Sequence, residues 1–161
     1  MGVAAIRAFF AGRTGEAHGH EQSWVDPVTV AACALLLEIA HADDVFSAEE
    51  RERIARHIRE ERGVSAEEMR EVFQAAEEER RESVDLYHFT RLLSENLSRE
   101  QRRRLVETIW EVVYADGSLS MIESHLARRV AELLGFQHPE VQEIKDRVAR
   151  ERGVFPSEER P

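Results

Sequence analysis

Between Asp26 and Gly153 the apolar residues recur every three or four positions, the spacing of one helical face, and no stretch alternates like a strand. Seven helices follow from that pattern. The first opens at Asp26-Pro27, an N-cap aspartate ahead of a proline at the first helical position. Val30, Cys33, Ala34, Leu36, Leu37 and Ala40 make it apolar on nearly every side, which marks a central, buried helix. The second follows Ser47 and runs to about Arg62, with Ile54, Ala55 and Ile58 inward. Gly63 ends it, where the chain needs a positive φ. Ser65 and Glu68 form a capping box for the third, whose apolar stripe is Met69, Val72, Phe73 and Ala76. The fourth starts near Asp85 and turns Leu86, Phe89, Leu92 and Leu93 inward. Ser98 caps the fifth, which Leu105, Val106, Ile109, Val112 and Val113 bury. The sixth runs from about Met121 to Leu134 and stops at Gly135; the seventh begins near Pro139, carries Val141, Ile144 and Val148, and fades by Gly153.

Two of the junctions between these helices are copies. The stretches from Leu37 to Glu50 and from Trp110 to Glu123 align without a gap. They pair Glu38 with Glu111, Ala42 with Ala115, Asp43 with Asp116, Ser47 with Ser120 and Glu50 with Glu123. An apolar residue, Phe46 or Leu119, stands at the same place in each loop and would plug it into the core. The constant offset of 73 residues makes this an internal duplication, with too few copies for a solenoid. The predicted fold is all-α: a single-domain bundle of about seven helices with an internal helix–acidic loop–helix pseudo-repeat. Function is expected where the two loops meet.

Three regions follow. Residues 1–24 read as a short N-terminal helix and a Gly/His-rich flexible linker, 25–153 as the helical domain and 154–161 as a tail. Val3, Ile6, Phe9 and Phe10 lie on a rough stripe beside Arg7 and Arg13, which suits weak membrane-surface contact or docking on the chain's own domain. The net charge of −10 argues against nucleic acid and favours cations or basic partners. Cys33, the single cysteine, fits a reducing compartment, and no apolar run reaches the ~18 residues of a spanning helix, so a cytoplasmic protein is expected. The run from Glu77 to Glu82 reads as a solvated helix end with internal charge pairs, and His57 and His88 as helix-surface residues. No Ser or Cys nucleophile lies at a telling distance from the histidines. There is also no glycine-rich phosphate loop and no zinc-type Cys/His spacing. The chain is read as a non-enzyme.

The repeated loops admit two readings. Ser47 with Glu50 and Ser120 with Glu123 are capping boxes, and Asp43-Asp44 and Asp116-Gly117 suit the turn at a helix end. Capping leaves the charge unexplained, because an aspartate at a helix C-terminus faces the negative end of the macrodipole. If the halves pack as related pairs, Asp43, Asp44, Glu50, Asp116 and Glu123 approach one surface. A hard cation of the Ca²⁺ or Mg²⁺ type would then offset their repulsion. The spacing is not that of an EF-hand.

The loops Glu38-Ile-Ala-His-Ala-Asp-Asp and Glu111-Val-Val-Tyr-Ala-Asp-Gly, the connection from Ser83 to Thr90 and the two Ser-x-x-Glu helix starts resemble the TerB-like (tellurite resistance) family over about Val28 to Arg150. The resemblance implies an all-helical, pseudo-repeated bundle linked to tellurite and stress resistance, working at the inner face of the membrane with integral-membrane protein partners. It implies a divalent metal held by Asp43, Asp116, Glu50 and Glu123, with Glu38 and Glu111 as additions. Asp44 departs from the family's Asp-Gly pattern. A scaffold for protein partners, such as a co-chaperone-like adaptor, in which the loops serve only as caps, is the alternative.

Overall fold

Asp26 caps the first helix with its own side chain, its Oδ1 accepting from Val28 N at 3.2 Å, and Pro27 then sets the first turn. The protein is seen here as a computed structural model that describes residues 26–42, 46–82, 85–115 and 121–153. Its helices are α1 (Pro27–Ala40), α2 (Ala48–Arg62), α3 (Ala66–Glu82), α4 (Leu86–Asn96), α5 (Arg99–Val113), α6 (Met121–Leu133) and α7 (His138–Glu151). Among the described residues there is no strand. The fold is all-α, as the hydrophobic spacing predicts. The N-terminal segment and linker of residues 1–24 and the tail of 154–161 lie outside the described residues.

Local chemistry places each boundary. Ser47 and Glu50 close a capping box over α2, Ser65 and Glu68 over α3, and Ser98 and Gln101 over α5. Gly63 ends α2 at φ 66°, a left-handed backbone that favours glycine. Gly135, at φ 97°, follows α6, where Arg102 Nη1 donates to the Leu134 carbonyl at 2.6 Å and satisfies a group the helix end leaves open.

All of α1 is buried except Glu38, and the helix packs against α2, α3, α4, α5 and α6. Exchanging the triplet α1–α2–α3 for α5–α6–α7 leaves the pattern of packing unchanged. α1 with α3 becomes α5 with α7, and α1 with α6 becomes α5 with α2. The duplication seen in two loops therefore extends to three helices per copy. α4 stands outside it and bridges α1 and α6. The core is one continuous cluster, with Leu36, Leu37, Ile54, Phe89, Ile109, Trp110 and Ile144 at its centre. Burial of Cys33 raises its thiol pKa, so it is a packed core group and not a nucleophile.

Two expectations for polar positions need correction. His57 is buried, not on the helix surface: its Nδ1 is 2.7 Å from Thr108 Oγ1 across the α2–α5 interface. His88 is half-buried, its ring beside that of Phe89. The run from Glu77 to Glu82 does contain an i,i+3 pair, Arg80 Nε to Glu77 Oε1 at 2.9 Å. Glu79 within it is buried, however, and burial together with the charge of Glu82 pushes its carboxyl up to about 7.

Candidate functional site

Both copies leave their first helix in the same way. After α1, His41 N donates to Leu37 O at 2.9 Å and Ala42 N to Ile39 O at 3.1 Å; after α5, Tyr114 N donates to Trp110 O at 3.0 Å and Ala115 N to Val112 O at 3.2 Å. Asp43, Asp44 and Asp116, together with Leu119 and Ser120, lie outside the described residues. Phe46 returns the first loop to the core half-buried, its ring 4.7 Å from that of His41. Ser47 N then donates to Glu50 Oε1 at 2.7 Å, and Glu50 N to Ser47 Oγ at 3.1 Å. Glu50 and its counterpart Glu123 are each only 3% exposed, so both copies bury the same carboxylate where the second helix begins. Ser47→Ala is expected to cost about 1 kcal/mol of stability, measured by urea unfolding.

The edges of the two loops share a groove of about 350 Å³. Ala48, just past the first loop, and Ala115, at the start of the second, both line it, with Glu49, Glu52, Arg53, Arg56 and Arg152. Beside it Arg53 binds Glu111 through Nη2 at 2.5 Å and Nε at 3.1 Å, tying α2 to α5. Glu38 is also held by an arginine, with Arg80 Nη1 3.4 Å from its Oε2. Arg80 belongs to α3 and Arg53 to α2, so two duplicated glutamates have partners that are not duplicates. Glu77 joins this group through Arg80 and through His41 Nε2 at 3.3 Å. Burial opposes its ionisation, but the hydrogen bond and charge of Arg80, then His41, hold its carboxyl below the ordinary value.

These placements separate the sequence-predicted set. Glu50 and Glu123 occupy matching buried positions at the loop ends. Glu38 and Glu111 have their charge offset by guanidinium groups. Among the described residues no three His, Cys, Asp or Glu side chains gather closely enough to hold a metal, and the loop aspartates are not among those residues. Sequence reading missed Arg53, Arg80 and Thr108, whose partners lie far away in the chain. It also missed Lys145, 2% exposed, with Nζ 5.7 Å from the centre of the Trp110 ring. Its signal was position: Lys145 sits four residues after Val141, beside the apolar stripe of α7. No helix among the described residues is long and apolar enough to cross a membrane.

A duplicated three-helix unit with a buried glutamate at each repeated loop defines an all-α, two-copy domain. Residues 29–146, well over half of the chain, match the family described as tellurite resistance protein TerB, and the chain belongs to that family. Comparison with curated proteins and with solved structures gave no match.

Proposed function

We propose that this TerB domain is a non-enzymatic, cytoplasmic component of tellurite or metal stress resistance, and that its paired loops bind one divalent cation between them. The supporting observation is the duplicated carboxylate, Glu50 in one copy and Glu123 in the other, buried at the end of each repeated loop. Glu50 and Glu123 fit the proposed ion, since each loop ends on a carboxylate held at 3% exposure and the cap uses Oε1 of Glu50. Asp43, Asp44 and Asp116 supply further oxygens, as a hard cation of the Ca²⁺ or Mg²⁺ type requires. Glu38 and Glu111, the two further acids of the set, are paired with Arg80 and Arg53, which suits a role in positioning the loops. Protein partners, an integral-membrane protein at the inner face of the membrane among them, read the occupied loops.

A second reading has its own support: the Ser47–Glu50 capping box and the two arginine–glutamate pairs give several of these acids structural work, which suits a protein-interaction scaffold. Thermal unfolding of chelator-treated protein separates the two. Metal binding predicts a higher midpoint with millimolar Ca²⁺, Mg²⁺, Mn²⁺ or Zn²⁺, equivalent to about 2.7 kcal/mol at a hundredfold excess over Kd. The Asp43→Asn/Asp116→Asn double variant should lose that gain. An unchanged midpoint with every ion favours the scaffold.

A further inference from the structure

The duplication supplies an internal comparison away from the acidic loops. The crevice between α6 and α7 in the second copy corresponds to that between α2 and α3 in the first. The register is fixed at both ends, the second copy being one residue shorter between them: Glu123 matches Glu50, and one position out of that offset the capping contact of Gln137 N with Glu140 Oε1 at 3.1 Å matches that of Ser65 N with Glu68 Oε1 at 2.8 Å. In that register His125 replaces Glu52, Arg128 replaces Ala55, His138 replaces Ala66, and Arg129 repeats Arg56. The backbone plan is kept while the chemistry changes.

In the second copy these four residues line a groove of about 320 Å³, with Glu132 and the buried Val141. Among the described residues neither Arg128 nor Arg129 has an ion pair, whereas Arg99, Arg103 and Arg104 on the flanking α5 and Arg147 on α7 do, and Arg102 and Arg150 on those helices do not. Glu132 lies one helical turn after Arg128 and pairs with neither arginine. Arg128 lines the groove with its Nε buried and without a hydrogen-bond partner, which anchors the base of the guanidinium in the groove wall. His138 is the first residue of the 14-residue α7, so the positive end of that helix adds to the same field.

We propose that this groove binds a phosphate-type dianion, free or as a lipid headgroup, through Arg128 and Arg129, with the imidazoles of His125 and His138 as further donors. Forked guanidinium donors match a tetrahedral oxyanion, and an imidazole donates through a ring N–H in either protonation state. The volume suits a small ligand. The chain's charge of −10 repels such an anion at a distance, so local contacts carry the binding and added salt weakens it.

The test is a titration of the full chain with inorganic phosphate at constant ionic strength, read by amide NMR with sodium chloride as reference. Saturable shifts at His125, Arg128, Arg129 and His138 are expected. Arg128→Gln/Arg129→Gln should weaken the affinity by roughly tenfold or more, the loss of about one charge-assisted bond per arginine. Arg59→Gln, in the first copy, should leave it unchanged. Should the double variant unfold, the exposed Arg129→Gln carries the same expectation alone. A second arm uses phosphatidylcholine vesicles with and without phosphatidic acid. Sedimentation with phosphatidic acid that inorganic phosphate reverses assigns the group to a lipid; phosphate binding without sedimentation assigns it to a soluble ligand. Equal shifts with chloride, shifts that survive both arginine substitutions in a folded protein, or no binding of either probe would overturn the proposal.

Discussion

Trp110→Ala is expected to lower stability by about 3–5 kcal/mol, read as a fall in the denaturant midpoint at unchanged m. Trp110 is fully buried on α5, its ring 6.2 Å from that of Tyr114 and beneath the ammonium group of Lys145. Truncation therefore removes the largest side chain of the second copy's core, leaves a cavity and takes the aromatic face from a buried lysine, a contact worth about 0.5–2 kcal/mol. Trp110→Phe should cost far less, about 1–2 kcal/mol. The indole Nε1 is buried with no hydrogen-bond partner, so its loss forfeits no bond. Leu37, also fully buried, is the aligned residue in the first copy. A Trp110→Ala protein as stable as the wild type would contradict that placement.

Acid should destabilise the fold through His57 by about 3 kcal/mol between pH 6.5 and 4. Burial lowers this imidazole's pKa most; Glu61 works against the shift, Arg53 and Arg104 reinforce it, and the result is a value of about 4. The unfolded chain takes up the proton near pH 6.5 and the folded chain only near 4, so between them the unfolded state binds more protons. Stability from this group is complete above pH 6.5 and falls as the pH drops through the window. Comparing urea unfolding of wild type and His57→Gln across pH cancels the carboxylates common to both. The difference should be flat above about pH 6.5 and slope below it. Parallel curves through the whole window would show that His57 is not buried as described.

The helix boundaries were legible in the sequence because their causes are local. Asp26-Pro27, Ser47 with Glu50, Gly63 and Gly135 each act within a few residues of themselves. The polar residues of the interior were missed for a common reason. His57 follows Ile54 by three positions, Glu79 follows Ala76 by three, and Lys145 follows Val141 by four, so each occupies an inward stripe position. Reading them as surface groups, or passing over them, gave residue type more weight than position, and the partner that makes burial of His57 tolerable, Thr108, lies 51 residues away. The candidate site divides along the same line. The duplication of Glu38 and Glu111 could be read directly; their engagement by Arg80 and Arg53 could not, because those arginines come from non-equivalent helices.

The most direct measurement of the proposed shared site is calorimetric titration of chelator-treated protein with Ca²⁺, Mg²⁺, Mn²⁺ and Zn²⁺, repeated on Asp43→Asn and Asp116→Asn singly. One site built by both loops predicts one cation per chain, with either substitution alone removing most of the binding. No binding of any ion, or binding that neither substitution changes, would contradict it and leave the repeated loops as helix caps.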